Sequence, residues 1–430
     1  MNPFPSNTQV AQADVATMAL LNQIDTATSS LLLETTGDSA SAAPQQRGNQ
    51  LLAHIAWSRL AEPGDGAAGA FIAAVGAEAA LQLLVQQTSA TQLVRILSRQ
   101  GHEISPKTAK EAIDRWVPRL NRSATLHDIE QAAASGLQVI LPGDSLWPTA
   151  LDDLGLHRPT MLWVRGNPGA IATPSLSVVG ARAATGYGSH MTAEIVGAVS
   201  VSDLAIVSGA AYGIDAVAHR TALATQRTTV AVLAGGADRP YPRAHDSLLQ
   251  KIAHTGAVCS EMIPGAAPTK WRFLMRNRLI AALSRATIIT EAGIHSGSLN
   301  TAGHAAQLGR PIGAVPGPVT SAASAGCHKL IRDYSAVLVT NAQQVLELVG
   351  QHENLGLFED AETDAREGAW ERRVLDALPL RGARGAADIA GRAGLGLEQV
   401  RGVLAELELL KRVQRRDSPG GESTQWALLR

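Results

Sequence analysis

What the sequence has little of already excludes several kinds of protein. Its 430 residues include two cysteines, Cys259 and Cys327. Two thiols cannot build a disulfide framework, and no Cys/His cluster has the spacing of a zinc site, so a reducing cytoplasm is the expected compartment. The N-terminus has no basic start followed by an apolar stretch, and no segment approaches 18 uninterrupted apolar residues. Neither export nor membrane spanning is supported, and a soluble protein is expected. Neither sign of charge is in excess: 37 Lys and Arg face 38 Asp and Glu, for a formal net charge of -1. Any attraction to nucleic acid must therefore come from a local basic surface. Aromatic residues make up 3% of the chain, a composition that does not favour broad base-stacking platforms.

The chain is too long for one ordinary core and suggests several units. Residues 1–49 are rich in Ser, Thr, Ala and Gln, with no cation before Arg47; they read as a disordered tail. Across 50–135, apolar residues such as Phe71, Ile72, Val75, Ala79, Leu83 and Leu84 return at helical intervals, broken by Pro63 and Gly64. A small helical domain is expected there. Residues 136–350 begin with short strands and turns, then alternate apolar strands with helical patterns. The expected strands are Leu176–Val179, Leu204–Val207, Thr229–Leu233, Ala257–Ser260, Thr287–Thr290, Ile312–Val315 and Val337–Val339. Continuous apolar strands between helices predict an α/β fold with a parallel sheet covered on both faces. An acidic linker, 351–369, leads to residues 370–430. These offer helices at Trp370–Leu378, Ala386–Ala393 and Leu397–Leu407, then a ribbon of Val413–Arg416 and Gln425–Leu429. That is a winged-helix pattern, with 11 Lys and Arg against 8 Asp and Glu. Duplex-DNA binding and protein docking or autoinhibition both remain open for it.

Right-handed crossovers gather the turns after parallel strands along one rim, where a ligand is expected. The first such turn runs Val179-Gly180-Ala181-Arg182 and on to Gly186-Tyr187-Gly188. It lacks the G-x-G-x-x-G spacing, and the next strand ends Val207-Ser208-Gly209 without an acid, so a bare phosphate fits better than a dinucleotide. Arg182 would add a bidentate phosphate contact. The second turn, Ser208 to Asp215, offers hydroxyl and amide donors. Asp215 and His219, four apart on a helix, fit either an acid-base couple or a structural hydrogen bond; the missing nucleophile favours the second. The run Lys270-Trp271-Arg272-Phe273-Leu274-Met275-Arg276-Asn277-Arg278 holds four cations and two rings in nine residues, just before the expected helix Leu279–Leu283. It could track a phosphodiester backbone with Lys270, Arg276 and Arg278 while a ring lines a base pocket. Alternatively it is a solvated face, with Trp271 and Phe273 anchored in the core and Arg278 paired to an acid. Ser296-Gly297-Ser298 reads as an N-cap and anion cradle. Cys259 is expected in the core and Cys327, before His328, partly exposed. No catalytic residue, metal ligand or cofactor is expected.

Taken together, Val179-Gly180-Ala181-Arg182, Val207-Ser208-Gly209, Gly213-Ile214-Asp215 with Ala218-His219, Tyr241-Pro242, Arg276-Asn277-Arg278, Glu291-Ala292 with Ser296-Gly297-Ser298-Leu299, and Val315-Pro316-Gly317 resemble the DprA/Smf family. The resemblance covers about residues 140 to 345. It implies an extended Rossmann-like fold, flanked here by the N-terminal helical domain and the C-terminal winged helix. It further implies a homodimer that binds single-stranded DNA without base specificity. Such a dimer loads RecA recombinase onto incoming strands covered by single-strand-binding protein during natural transformation, without catalysing a reaction. Carried over by motif, Arg182 and Lys270 would hold phosphates and Phe273 would line a base pocket. Arg276, Asn277, Ser296, Gly297 and Ser298 would complete the groove, with Ser208, Gly209 and Arg278 in the same set. His328, Ile331 and Val337 are similar to the family's dimer surface. Ala210 stands where the family usually has Leu, and Leu274 where Pro is common. Two rival readings are a nucleotide phosphoribohydrolase-like enzyme, for which the Gly-Gly-x-Gly-Thr turn and following acid are missing, and a winged-helix transcriptional regulator.

Overall fold

The computed structural model describes residues 13–26, 43–199, 202–350, 370–379, 382–409, 412–417 and 424–429. Nine strands form one sheet: β1 Gln138–Ile140, β2 Leu162–Gly166, β3 Ser175–Val179, β4 Ala205–Ser208, β5 Thr229–Leu233, β6 Ala257–Ser260, β7 Ala286–Ile289, β8 Ile312–Ala314 and β9 Val337–Leu338. Their order is β1-β2-β6-β5-β4-β3-β7-β8-β9. From β6 across to β9 every neighbouring pair is parallel, while β2 joins β6, and β1 joins β2, antiparallel. Every residue of β3 to β8 is buried, as expected when helices cover both faces. All seven strands expected between 176 and 339 form, their ends displaced by at most one residue. The chain leaves β3 toward β4 on one side and later returns to pair β7 on the other. This reversal opens a crevice beyond the carboxyl ends of β3 and β7.

Among the described residues, the sheet is preceded by helices at Val15–Ile24, Ala43–Leu60, Gly66–Val75, Ala77–Val85, Ala90–Arg99, Pro106–Trp116 and Arg122–Ala134. Their boundaries follow local chemistry. Ser89 and Gln92 form a reciprocal capping box, and Ser105 caps a helix that begins with Pro106. Trp57, Phe71 and Trp116 form the centre of this region, with ring centroids 5.2 to 6.3 Å apart. A second core joins helices to sheet: Leu51, Ile55 and Ile129 pack with Val139, Leu141 and Trp163. Met1–Gly350 therefore forms one compact unit and Gln351–Arg430 another, so the boundary expected at 135/136 does not separate compact bodies.

The expected disordered tail needs correction where it is described. Val15–Ile24 is a helix, capped by the Asp14 side chain, which accepts from Thr17 N at 2.8 Å. Thr17, Leu21 and Ile24 share its buried face. A stripe this narrow is easily hidden in a segment dominated by Ser, Thr, Ala and Gln. Arg47, in the helix Ala43–Leu60, bridges Asp25 at 2.7 Å and Asp144 at 2.9 Å. Thr26 Oγ1 donates to Val139 O, and Asp25 pairs with Val139 as an isolated bridge beside β1. The rest of the expected tail, the acidic linker and the turn 418–421 lie outside the described residues. Among those described, no single helix is long and apolar enough to cross a membrane.

The second unit contains helices over 370–377, Ala386–Ala393 and Leu397–Leu409. It adds β10 Arg384–Gly385, β11 Val413–Asp417 and β12 Thr424–Leu428, in the antiparallel order β10-β12-β11. Val374, Ile389, Val400, Leu404, Leu407 and Trp426 form its core.

Leu21 is fully buried in the core shared by helices and sheet. Leu21→Ala is expected to destabilise the protein by about 2–5 kcal/mol in chemical denaturation. An unchanged midpoint would mean that this helix is not part of the cooperative fold.

Candidate nucleic-acid interface

A cleft of about 940 Å³ lies beyond the ends of β3 and β7. The loop after β3 supplies Arg182, the helix Lys270–Leu283 supplies Lys270, Phe273 and Asn277, and the turn after β7 supplies Ser296, Gly297 and Ser298. Arg182 Cζ lies 5.0 Å from the Phe273 ring centroid. The Tyr241 ring stands 5.5 Å away on the same wall. Asn277 Nδ2 donates to Asn300 Oδ1 at 3.2 Å and to Gly297 O at 3.4 Å, tying the helix to the Ser-Gly-Ser turn and the helix it opens. The Ser296 and Ser298 hydroxyls bond each other at 2.7 Å. Two helix N-termini, at Lys270 and Ser298, open on the cleft, and their partial positive charge adds to the two exposed cations.

The basic run was expected as an extended track before a helix, but the helix begins at Lys270, where Thr269 caps it by accepting from Arg272 N. A helix sends neighbouring side chains to different faces. Arg272 pairs with Glu62 through two 2.9 Å hydrogen bonds. Arg278, 2% exposed, pairs with Glu261 at 2.6 and 2.8 Å and donates to His157 O. Arg278 therefore holds the structure together instead of tracking a strand. Arg276 is also buried: its Nη1 donates to Gly209 O at 2.7 Å and Val232 O at 2.6 Å. Burial pulls its pKa down to about 10, partly opposed by Asp215. It lines the cleft floor, 5.8 Å from the Phe273 ring, but its hydrogen bonds point into the sheet. Lys270 is left as the run's exposed cleft cation, next to Trp271, which is 56% exposed and not a core anchor.

Ser208 and Gly209 also fall outside the cleft lining. The Ser208 hydroxyl is buried and donates to Val178 O at 2.7 Å. Gly209 is packed against the Arg276 guanidinium, where no Cβ would fit. Asp215, an acid at the cleft wall, accepts from Gly209 N at 3.1 Å and Ala211 N at 3.4 Å. Burial holds its carboxyl above the usual range, with Arg276 opposing. His219 bonds Thr229 Oγ1 at 2.7 Å, so the two helical neighbours are both structural but do not bond each other. Tyr241 was missed as a wall residue; Tyr-Pro was visible in the sequence, but nothing there placed it beside Phe273. Cys259 is buried as expected. Cys327 is buried too, contrary to the expected partial exposure, and burial pushes its thiol up to about 12. Among the described residues no group of three or more His, Cys, Asp or Glu is placed to hold a metal ion.

The sequence model of a family described as DNA recombination-mediator protein A matches residues 138–350. A Mycobacterium tuberculosis protein named putative DNA processing protein DprA is 41% identical over 393 residues, covering 87% of this chain and 93% of that protein. The chain belongs to the DprA/Smf family. DNA processing protein DprA of Streptococcus pneumoniae is 39% identical over 203 residues, covering 47% of this chain and 71% of that one. The X-ray structure of S. pneumoniae DprA matches with a TM-score of 0.55 and 29% identity, over 69% of this chain and 96% of that one. Of the residues that the DprA/Smf resemblance assigned to a dimer surface, Val337 lies exposed on the short edge strand β9. Ile331 packs partly against the core, and His328 Nε2 lies 3.0 Å from Gly317 O.

Two measurements separate structural from exposed cations and test the buried histidine. Arg276→Met strands two buried carbonyls, so its unfolding free energy should fall by about 1–3 kcal/mol per lost partner, while Arg182→Ala leaves it nearly unchanged. Equal stability in both variants would return Arg276 to the binding surface. Burial lowers the His219 pKa to about 3, against 6.5 for the free side chain. The unfolded chain then binds more protons between those values. Stability is complete above pH 6.5 and falls as pH drops toward 3, by up to about 1.4 kcal/mol per pH unit. Denaturation at pH 7 and pH 5 should show wild type losing more than His219→Gln; parallel losses would refute the assignment.

Proposed function

We propose that the chain binds single-stranded DNA in this cleft without regard to base sequence. The observation that carries the reading is the stacked pair of Arg182 and Phe273, with Lys270 on the same helix face. A cation beside a half-buried ring meets a phosphate and an unstacked base together, and every base has a face to stack. Asn277, Ser296, Gly297 and Ser298 line the path, while Arg276 and Arg278 act beneath it. Loading of RecA onto incoming strands, clearance of single-strand-binding protein and a role in natural transformation follow from the family resemblance, as does pairing of two copies through His328, Ile331 and Val337. A cytoplasmic site of action fits these roles. That no reaction is catalysed is supported by Glu291. This acid of the turn after β7 accepts from Thr185 N at 2.8 Å and Thr185 Oγ1 at 2.5 Å, which engages both carboxylate oxygens in holding the neighbouring loop.

The second unit reads as a winged helix, and its charges favour protein docking over duplex recognition. Among the described side chains of its third helix, Leu397–Leu409, Glu398 and Glu408 stand against Arg401. The cations Arg384, Arg392, Arg401, Arg412 and Arg415 each pair with an acid of the same unit. A helix entering the major groove needs the opposite balance.

Fluorescence anisotropy with oligo-dT tests the main reading. Arg182→Ala and Lys270→Ala should each weaken binding about tenfold and reduce the slope of log K against log salt by about 0.7. Phe273→Ala should weaken it about tenfold with the slope unchanged. Undiminished binding in folded variants, or equal affinity for duplex of the same length, would overturn the reading.

A further inference from the structure

Resting on the proposed strand-binding role of Arg182, we infer that Glu291 is the positioning residue that holds the Arg182 loop in its DNA-gripping shape. The loop leaves β3 at Val179 and enters the helix Gly186–Val199. Glu291 grips it at both ends. At the strand end, Ala181 N donates to the Glu291 carbonyl at 2.7 Å. At the helix end, the Glu291 carboxylate accepts from Thr185 N at 2.8 Å and Thr185 Oγ1 at 2.5 Å. Thr185 Oγ1 in turn accepts from Gly188 N at 3.1 Å. This is the hydrogen-bond pattern of a capping box, in which the acid ordinarily comes from the helix's own N3 position. Here that position is Gly188, and the acid arrives from the far side of the cleft, from the turn after β7.

Two glycines make room for it. A Cβ on Gly188 would lie 2.5 Å from the Glu291 carboxylate, and one on Gly180 would lie 2.7 Å from the Glu291 carbonyl. A third anchor, Ile214 N to Ala181 O at 3.1 Å, secures the strand end from the neighbouring turn. Between Ala181 and Thr185 only Arg182, Ala183 and Ala184 remain, so fixing both ends restricts where the guanidinium can reach. Glu291 is 2% exposed and Arg182 is open to solvent. The acid therefore acts through the loop without meeting the strand. Because it belongs to the same turn as Ser296 and Ser298, the two walls of the cleft are held in a fixed relation.

A double-mutant cycle on the full chain, read by oligo-dT anisotropy, tests this. Glu291→Ala should weaken binding about tenfold and lower the salt slope by about 0.7, as loss of one phosphate contact requires. Added to Arg182→Ala it should cost nothing further, whereas added to Lys270→Ala, on a different element, its effect should multiply. Thr185→Ala, which removes one of the three grips, should show the same pattern in smaller degree, and serves if Glu291→Ala does not fold. A Glu291→Ala loss that multiplies with Arg182→Ala, or leaves the salt slope unchanged, would reduce Glu291 to a general structural residue and overturn the inference. If Arg182→Ala itself leaves binding intact, the strand-binding reading fails first and the inference falls with it.

Discussion

Burying Arg276 beneath the cleft joins three elements at one place: the exit of β4 at Gly209, the end of β5 at Val232 and the helix that carries Lys270 and Phe273. A guanidinium leaves water at high cost, and that cost is offset only where carbonyls and a nearby carboxylate replace the lost hydration. Gly209 O, Val232 O and Asp215 supply this setting. The helix cannot roll without breaking those bonds, so the direction in which Phe273 projects is decided beneath the surface. The exposed ring and cations inherit their geometry from a charge that does not itself reach the ligand.

Much of this could be read from the chain before its fold was known, for a physical reason. Fully buried parallel strands are unbroken apolar runs closed by small residues, and such runs have few other uses in a water-soluble sheet. The segment 270–278 deceived because its arginines have partners distant in sequence. Glu62 lies more than two hundred residues upstream of Arg272, and Glu261 belongs to the stretch just after β6. Without those partners in view, four cations in nine residues look like a solvated track. Ser208 misled in the opposite way: a hydroxyl at a strand end is an attractive donor until a neighbouring carbonyl, here Val178 O, takes it. Val15–Ile24 was hidden by composition, since three buried positions cannot shift the average of a polar segment.

The reversal of strand order at β3 explains how a chain with few rings and no net positive charge assembles this surface. Loops separated by about a hundred residues, one after β3 and the other after β7, become neighbours because their strands pair directly. Each contributes little: an arginine from the first, two serines from the second. The helix between them adds one lysine and one ring. The cleft's character comes from convergence at a topological switch point more than from the richness of any one segment.

The two margins of the large sheet are unlike. Along β1, Asp25 and Thr26 lie against Val139, so the N-terminal segment seals that side. Along β9, Val337 and Leu338 are each 47% exposed. A sheet with one closed and one open margin can add a second copy of itself once, across a two-fold axis, and then has no margin left to extend from. If two copies pair through β9 as proposed, the covered β1 margin leaves the sheet no second place to extend.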